Sequence, residues 1–218
     1  LMTILIMGLN VIVMTRDLFN LFVFLEVTAI AIAGLILLDK KRTSSAAGFK
    51  YMMATGLIAG LLLLGTIFLY YYTSSLNIDD IRAANAGTIK GGAIAVFLVV
   101  MAVLLELKPF PANGWALDVY QSANPGISAL VSAGSATALF FVMIKVLMLA
   151  PQSWLMPVAV AGGITFVFSN LMGTQQQNTR RMLGYSSIGQ IGLLLFVLGA
   201  LGPDGNVRFV VISILGTH

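Results

Sequence analysis

Residues 18–38, LFNLFVFLEVTAIAIAGLILL, form an apolar run bounded by Asp17 and Asp39 and broken by a single charge, Glu26. At about 1.5 Å per residue, a helix through this run sets Glu26 roughly 13 Å from one flanking aspartate and about 20 Å from the other. The hydrocarbon core of a bilayer is about 30 Å thick, so the carboxyl group lies near mid-membrane. An ionisable side chain at that depth is costly unless it pairs, neutralises or meets water. Glu26 is therefore a proton-handling candidate.

The composition around this run is that of a membrane protein. Of 218 residues, 59% are hydrophobic and 9% charged, where an ordinary soluble domain carries about 25% charged residues. The expected fold class is all-α, a polytopic transmembrane helix bundle. With no Cys, disulfides, thiolate metal sites and cysteine nucleophiles are excluded, and the single histidine, His218, excludes a histidine-based zinc site within this chain. No cofactor site, metal site, nucleotide loop or nucleophile–base constellation is read. The net charge of +4 is scattered, and its one run, Lys40-Lys41-Arg42, fits a topology signal rather than a nucleic-acid grip. No basic segment precedes the apolar sequence at Leu1, so no signal peptide is read. The chain opens without Met and stops at His218, about twelve residues into an apolar segment too short to span, so a fragment is expected.

Apolar runs and their breakers give about eight crossings. They are roughly residues 1–15, 17–38, 46–72, an interrupted element over 91–121, 126–149, 153–173, 180–201 and an incomplete 207–218. Residues 73–90 read as an interfacial loop, with Tyr70, Tyr71 and Tyr72 as an aromatic belt just before it. Loops on one side hold Lys40, Lys41, Arg42, Arg180 and Arg181, and loops on the other hold Arg16, Arg82, Lys90 and Arg208. The compact basic clusters make the first side cytoplasmic. Gly56, Gly60, Gly65, Ala133 and Gly134 read as positions of close helix packing, and Ser186, Ser187, Thr137 and Gln190 as interhelical hydrogen-bonding groups.

The interrupted element is the second informative stretch. Residues 93–105 are apolar, and Glu106-Leu107-Lys108-Pro109-Phe110-Pro111 follows, with Gly114 and Trp115 close behind. Each proline removes a backbone donor and clashes with the preceding turn, so a regular helix ends here. Freed backbone at membrane depth is tolerated inside protein or beside a water-filled cavity, and broken helices bearing ions are how transporters bind charge near the midplane. A regular helix would point Glu106 and Lys108 apart; an unwound turn brings them together.

Three stretches together resemble the antiporter-like subunits of respiratory complex I, membrane-bound hydrogenases and multi-subunit sodium/proton antiporters. They are DLFNLFVFLEVTAI at 17–30, PANGWALDVYQSANP at 111–125 and RRMLGYSSIGQIG at 180–192. The first resembles the segment bearing the family's membrane glutamate, the second its proline–tryptophan–aspartate stretch in a discontinuous helix, and the third its arginine-led tyrosine–serine–serine helix. The resemblance implies inverted five-helix repeats, each with a broken helix and half a proton channel. Residues 1–149 would form the first repeat, broken near 106–115, and residues 150–218 the start of the second. It also implies that the 39–45 and 174–179 loops are cytoplasmic.

The resemblance carries over residue by residue as follows. Glu26 falls on the family's membrane glutamate. The family's buried lysine lies nine residues before the motif tryptophan, where this chain has Glu106; Lys108 follows two residues later. A second usual lysine falls on Ala136, with Lys145 as the nearest base, and Asn113 replaces a common histidine. Lys50, beside Tyr51, is either a relay lysine or an interfacial anchor, and His218 resembles a membrane histidine of the second repeat. The candidate ion-translocation residues are thus Glu26, Glu106, Lys108, Lys50, Lys145 and His218. Either Glu26 pairs with a lysine, each charge tuning the other, or Glu26 and Glu106 form a carboxylate pair that holds a proton.

The expected function is translocation of protons, or of sodium, by an antiporter-like subunit of a redox-driven or antiporter complex. Its partners would be other membrane subunits, redox subunits carrying the cofactors, and the lipid bilayer, with no nucleic acid. The chain itself would perform no redox chemistry. It would sit in a prokaryotic cytoplasmic membrane, or in an organellar inner membrane. Two alternatives stand beside this reading: a degenerate, non-conducting scaffold, motivated by Glu106 and Ala136 at usual lysine positions, and a stand-alone cation/proton antiporter.

Overall fold

A computed structural model describes residues 1–88 and 90–203. The expected crossing over 207–218, with Arg208 and His218, lies outside the described residues. Within them the chain is all-helical, apart from one isolated antiparallel bridge between Asp17 and Asn77. The helices are α1 (Met2–Met14), α2 (Leu18–Leu37), α3 (Arg42–Thr73), α4 (Ile78–Ala83), α5 (Lys90–Glu106), α6 (Gly114–Ser122), α7 (Pro125–Leu130), α8 (Ala136–Leu147), α9 (Leu155–Thr174) and α10 (Thr179–Leu201). A π turn, Val131–Ser135, joins α7 to α8 in one apolar span. Five segments are long and apolar enough to cross a membrane: Leu18–Leu37, Arg42–Thr73, Pro125–Leu147, Gln152–Thr174 and Thr179–Leu201. Met2–Met14 and Gly91–Glu106 are shorter apolar helices.

Local chemistry explains where these helices begin. The Asp17 side chain accepts from the Asn20 N–H at 2.7 Å, and Asn178 accepts from the amides of Arg180 and Arg181, so both residues cap the orphan donors of a first turn. Pro109 and Pro111 stop α5, and the chain resumes as α6 at Gly114. The interfacial stretch 73–90 holds an element that a loop reading misses: Asn77 caps α4 by accepting from Asp79, and Ile78 and Ile81 bury themselves three residues apart. Helix α3, at 32 residues, is about 48 Å long and outruns a bilayer core of about 30 Å.

Side-chain bonds sort the loops between two ends of the bundle. At one end, Ser44 on α3 donates to the Ser122 carbonyl at the close of α6, and Arg181 on α10 reaches Asp118 and Gln121. At the other, Arg16 pairs with Asp79, and Lys145 donates to the carbonyls of Val13 and Thr15 at the C-terminal end of α1. The Arg16 guanidinium, hydrogen-bonded to it, holds the Asp79 carboxyl below its ordinary value, and Arg16 is raised in turn.

Two apolar clusters hold the bundle together. One gathers α5 and α8 with Leu62, Leu69 and Leu195, and the other joins α2 to α6 through Ile32, Ile36, Leu117 and Tyr51. The most extensive helix pair is α9 with α10. Their backbones touch where Gly162 meets Gly192: a methyl at Gly162 would stand 2.7 Å from the Gly192 carbonyl oxygen. Small residues of this kind let transmembrane helices approach closely. Of the glycines expected to do this on α3, Gly65 does, against Val99 and Ala95 of α5, whereas Gly56 and Gly60 are exposed and meet no other group. Periodicity marks a small face but not the neighbour that covers it.

Candidate functional site

Glu26 lies on α2, half-buried, and faces α3 and α5. It shares one interior cavity with Glu106, the last residue of α5, and with Thr55, Ile58, Ala102 and Val103. The space open to water centres is about 10 Å³, room for roughly one water. The two glutamates therefore line one small cavity within electrostatic reach of each other. Such a pair favours a shared or exchanged cation over two free charges.

Lys108 stands next to this pair, across the break. The α5 helix closes with tight turns, the Leu107 amide bonding Val103 and Leu104 and the Lys108 amide bonding Leu105 at 3.0 Å. Lys108 then adopts a left-handed φ of 61°, a strained conformation for a residue with a side chain, of the kind that concentrates at functional sites. The side chain is 2% exposed, and Nζ has no hydrogen-bond partner. It lies 5.9 Å from the centroid of the Trp115 ring and within electrostatic reach of Glu106. The break itself is anchored on α9: the Phe110 N–H donates to Thr165 Oγ1 at 3.1 Å, and the Phe110 and Phe168 rings stack at 4.8 Å. The first residues of the break, Leu107 to Pro109, are thus enclosed by protein, whereas Pro111 and Gly114 are exposed, Gly114 beside the cleft.

Tyr51 completes the interior group. It is 3% exposed, packs edge-on against Trp115 at 5.6 Å and lies within electrostatic reach of Glu106 and Glu26. Helix α3 turns Tyr51 inward and leaves Lys50 facing outward, so the two neighbours do not share an environment. Lys50 instead pairs with Asp118 on α6 at 2.6 Å, and Arg181 reaches the same carboxylate at 3.2 Å. This cluster lines an open cleft of about 560 Å³ that also takes in Phe49, Met53, Gly114 and Trp115.

The structure thus brings Glu26 and Glu106 to one cavity and Lys108 within electrostatic reach of Glu106, with Trp115 against Lys108 and on the cleft. Lys50 lies at the cleft. Lys145 does not line the Glu26 cavity; its ammonium caps carbonyls at the end of α1. His218 lies outside the described residues. Sequence reasoning quoted Trp115 and Asp118 within motifs but gave them no role, and used Arg181 only as a topology charge. The available signal was charge: Asp118 is an acid nine residues or fewer from each prolyl and glycyl breaker of the α5–α6 element. Ser187, read as an interhelical hydrogen-bonding group, meets Ser132 with 2.6 Å between their hydroxyl oxygens.

An all-helical chain with apolar spans and a broken helix that carries buried ionisable groups has the form of a polytopic membrane protein. The chain belongs to the family described as NADH:quinone oxidoreductase/Mrp antiporter, TM, which its residues 15–215 match. It is 32% identical over 216 residues to NADH-quinone oxidoreductase subunit N 2 of Symbiobacterium thermophilum, covering 90% of this chain and 42% of that protein. It is 29% identical over 204 residues to NADH-quinone oxidoreductase subunit N of Rubrobacter xylanophilus, covering 91% and 42%. The chain thus spans less than half the length of these curated relatives. Among solved structures, it superposes on a chain of the archaeal membrane-bound sulfane sulfur reductase with a TM-score of 0.83 and 28% identity, covering 97% of this chain and 47% of that one. A chain of the Mrp complex from Dietzia sp. DQ12-45-1b shares the fold at a TM-score of 0.87 and 23% identity, covering 97% and 41%. The protein is an integral membrane subunit of this family.

Proposed function

We propose that the chain is part of a proton-translocating subunit of a redox-driven or antiporter complex in a prokaryotic cytoplasmic membrane. One observation carries the reading: Glu26 and Glu106, on different helices, line the same cavity, with the buried Lys108 within electrostatic reach of Glu106. Glu26 holds the ion, Glu106 and Lys108 change its affinity, and the opposite half of the path continues through the rest of the protein. A cavity with room for roughly one water favours a proton over a hydrated cation; sodium is the alternative ion. The coupling energy comes from other membrane subunits and from redox subunits that carry the cofactors. The family resemblance and the break after Glu106 support residues 1–149 as a first five-helix repeat, residues 150–218 as the start of an inverted second, and about eight crossings in all.

The tight cavity, together with Glu106 at a usual lysine position, favours one competing reading, a non-conducting scaffold. Glu26→Gln separates the two. In vesicles bearing the assembled complex, translocation requires that coupled proton uptake be lost while assembly persists. Unchanged uptake would favour the scaffold, and loss of sodium-dependent uptake alone would assign the ion as sodium.

A further inference from the structure

We propose that Trp115 is the gate between the open cleft and the buried amine of Lys108, and that the ion pairs of Asp118 hold this gate shut. The proposal rests on the transport reading and names the element that controls water access to the site. Trp115 has two faces with different company. On one side it lines the cleft with Lys50, Asp118 and Arg181. On the other its ring faces the Lys108 ammonium at 5.9 Å and meets Tyr51 edge-on at 5.6 Å. Lys108, 2% exposed and without a hydrogen-bond partner, thus lies one side-chain thickness from the open cleft.

The latch follows from helix spacing. Trp115 and Asp118 are three residues apart on α6, so they share a face. Asp118 ties that face to α3 through Lys50 at 2.6 Å and to α10 through Arg181 at 3.2 Å. Helix α6 has nine residues and follows the break directly, with Gly114 in open space at its start. A short segment joined to its neighbours by ion pairs can tilt when those pairs part, and the tilt would carry Trp115 off Lys108. Water from the cleft then reaches the amine, which is the step that a buried relay group needs in order to exchange a proton.

The chain has no cysteine, so a single Lys108→Cys reports water access in the assembled complex. The probe is a membrane-impermeant cationic methanethiosulfonate, applied separately from each side of sealed vesicles, with labelling read by mass on this chain. The gate predicts slow labelling of Lys108→Cys, and labelling at least about tenfold faster when Trp115→Ala is added, from the Lys50–Asp118 side alone. Asp118→Asn, which leaves the indole in place, should also accelerate it, by a smaller factor. Thr43→Cys, exposed in the first turn of α3, should label equally in all backgrounds, which shows that the fold is kept; if Trp115→Ala does not assemble, Trp115→Phe and Asp118→Asn carry the test. Equal Lys108→Cys rates with and without Trp115, or labelling from the opposite side, would overturn the gate. Labelling does not depend on pumping, so such a result leaves the transport reading intact, whereas failure of the Glu26 test leaves these rates unaffected.

Discussion

Replacing Lys108 by Met should make the protein more stable and stop ion movement, a combination that follows when a buried charge is kept for function rather than for support. The side chain is 2% exposed and Nζ makes no hydrogen bond. A buried donor without a partner costs about 1–3 kcal/mol even when uncharged, and a buried ammonium costs more. The attraction of the Trp115 face, 5.9 Å away, returns about 0.5–2 kcal/mol. Methionine is similar in length and fills the same channel with a flexible apolar chain. Both residues bear the same left-handed backbone, so that penalty cancels. With Glu106, within electrostatic reach of Lys108, neutral in the variant, the balance is a gain of about 1 kcal/mol, which raises the unfolding midpoint. The assay is thermal unfolding of the full-length protein in detergent, run beside proton uptake in vesicles. A midpoint that falls, or uptake that persists, would refute the reasoning.

Two further outcomes test the packing and the loop electrostatics. Gly162→Ala should be less stable than Gly163→Ala by about 1–3 kcal/mol, because both gain the same helix propensity and differ in overpacking alone. A methyl at Gly162 meets backbone at 2.7 Å and 2.8 Å, whereas one at Gly163 meets the Phe196 ring at 3.4 Å; equal midpoints would contradict the close α9–α10 contact. Arg16→Gln should lower the midpoint near neutral pH and leave it unchanged in strong acid. Asp79 is depressed by its hydrogen bond to Arg16, so its contribution is present above the ordinary aspartate value, about 3.9, and is lost as pH falls through the lower folded value. A pH-independent difference between wild type and variant would exclude this pair as the source.

What could be read from residues alone was set by how local the cause is. The apolar run around Glu26 and the prolines after Glu106 act through their own chain: one needs a span, the others end a helix. The capping side chains Asp17 and Asn178 act within their own chain segment too. Contacts across long separations were not legible. Lys50 and Asp118 are 68 residues apart and Arg181 and Asp118 are 63 apart, and no spacing rule pairs them. Lys145, assigned to a relay by its nearness to a usual lysine position, lies where α8 passes the end of α1, and the carbonyls there bind it. Tyr51 and Lys50 are neighbours with opposite fates, because consecutive helix positions point about 100° apart and the direction of the core was unknown. The α4 turn was hidden by its polar surroundings, since two isoleucines make a faint pattern.

The buried lysine was the least legible feature. Counting back from Trp115 meets Glu106, and a regular helix would place Lys108 elsewhere. The left-handed turn at Lys108 moves its side chain inward and sets it against the motif tryptophan. A residue count across a broken helix therefore loses its meaning at the break, where each residue no longer adds a fixed rotation.

The central claim is that Glu26 and Glu106 act as one site. It is tested most directly by measuring coupled proton uptake for Glu26→Gln, Glu106→Gln and the double variant in the same vesicles. Groups that share one ion are non-additive, so each single change should remove most of the uptake and the double should remove no more than the worse single. Independent, multiplying losses, or a silent Glu106→Gln, would contradict the shared site.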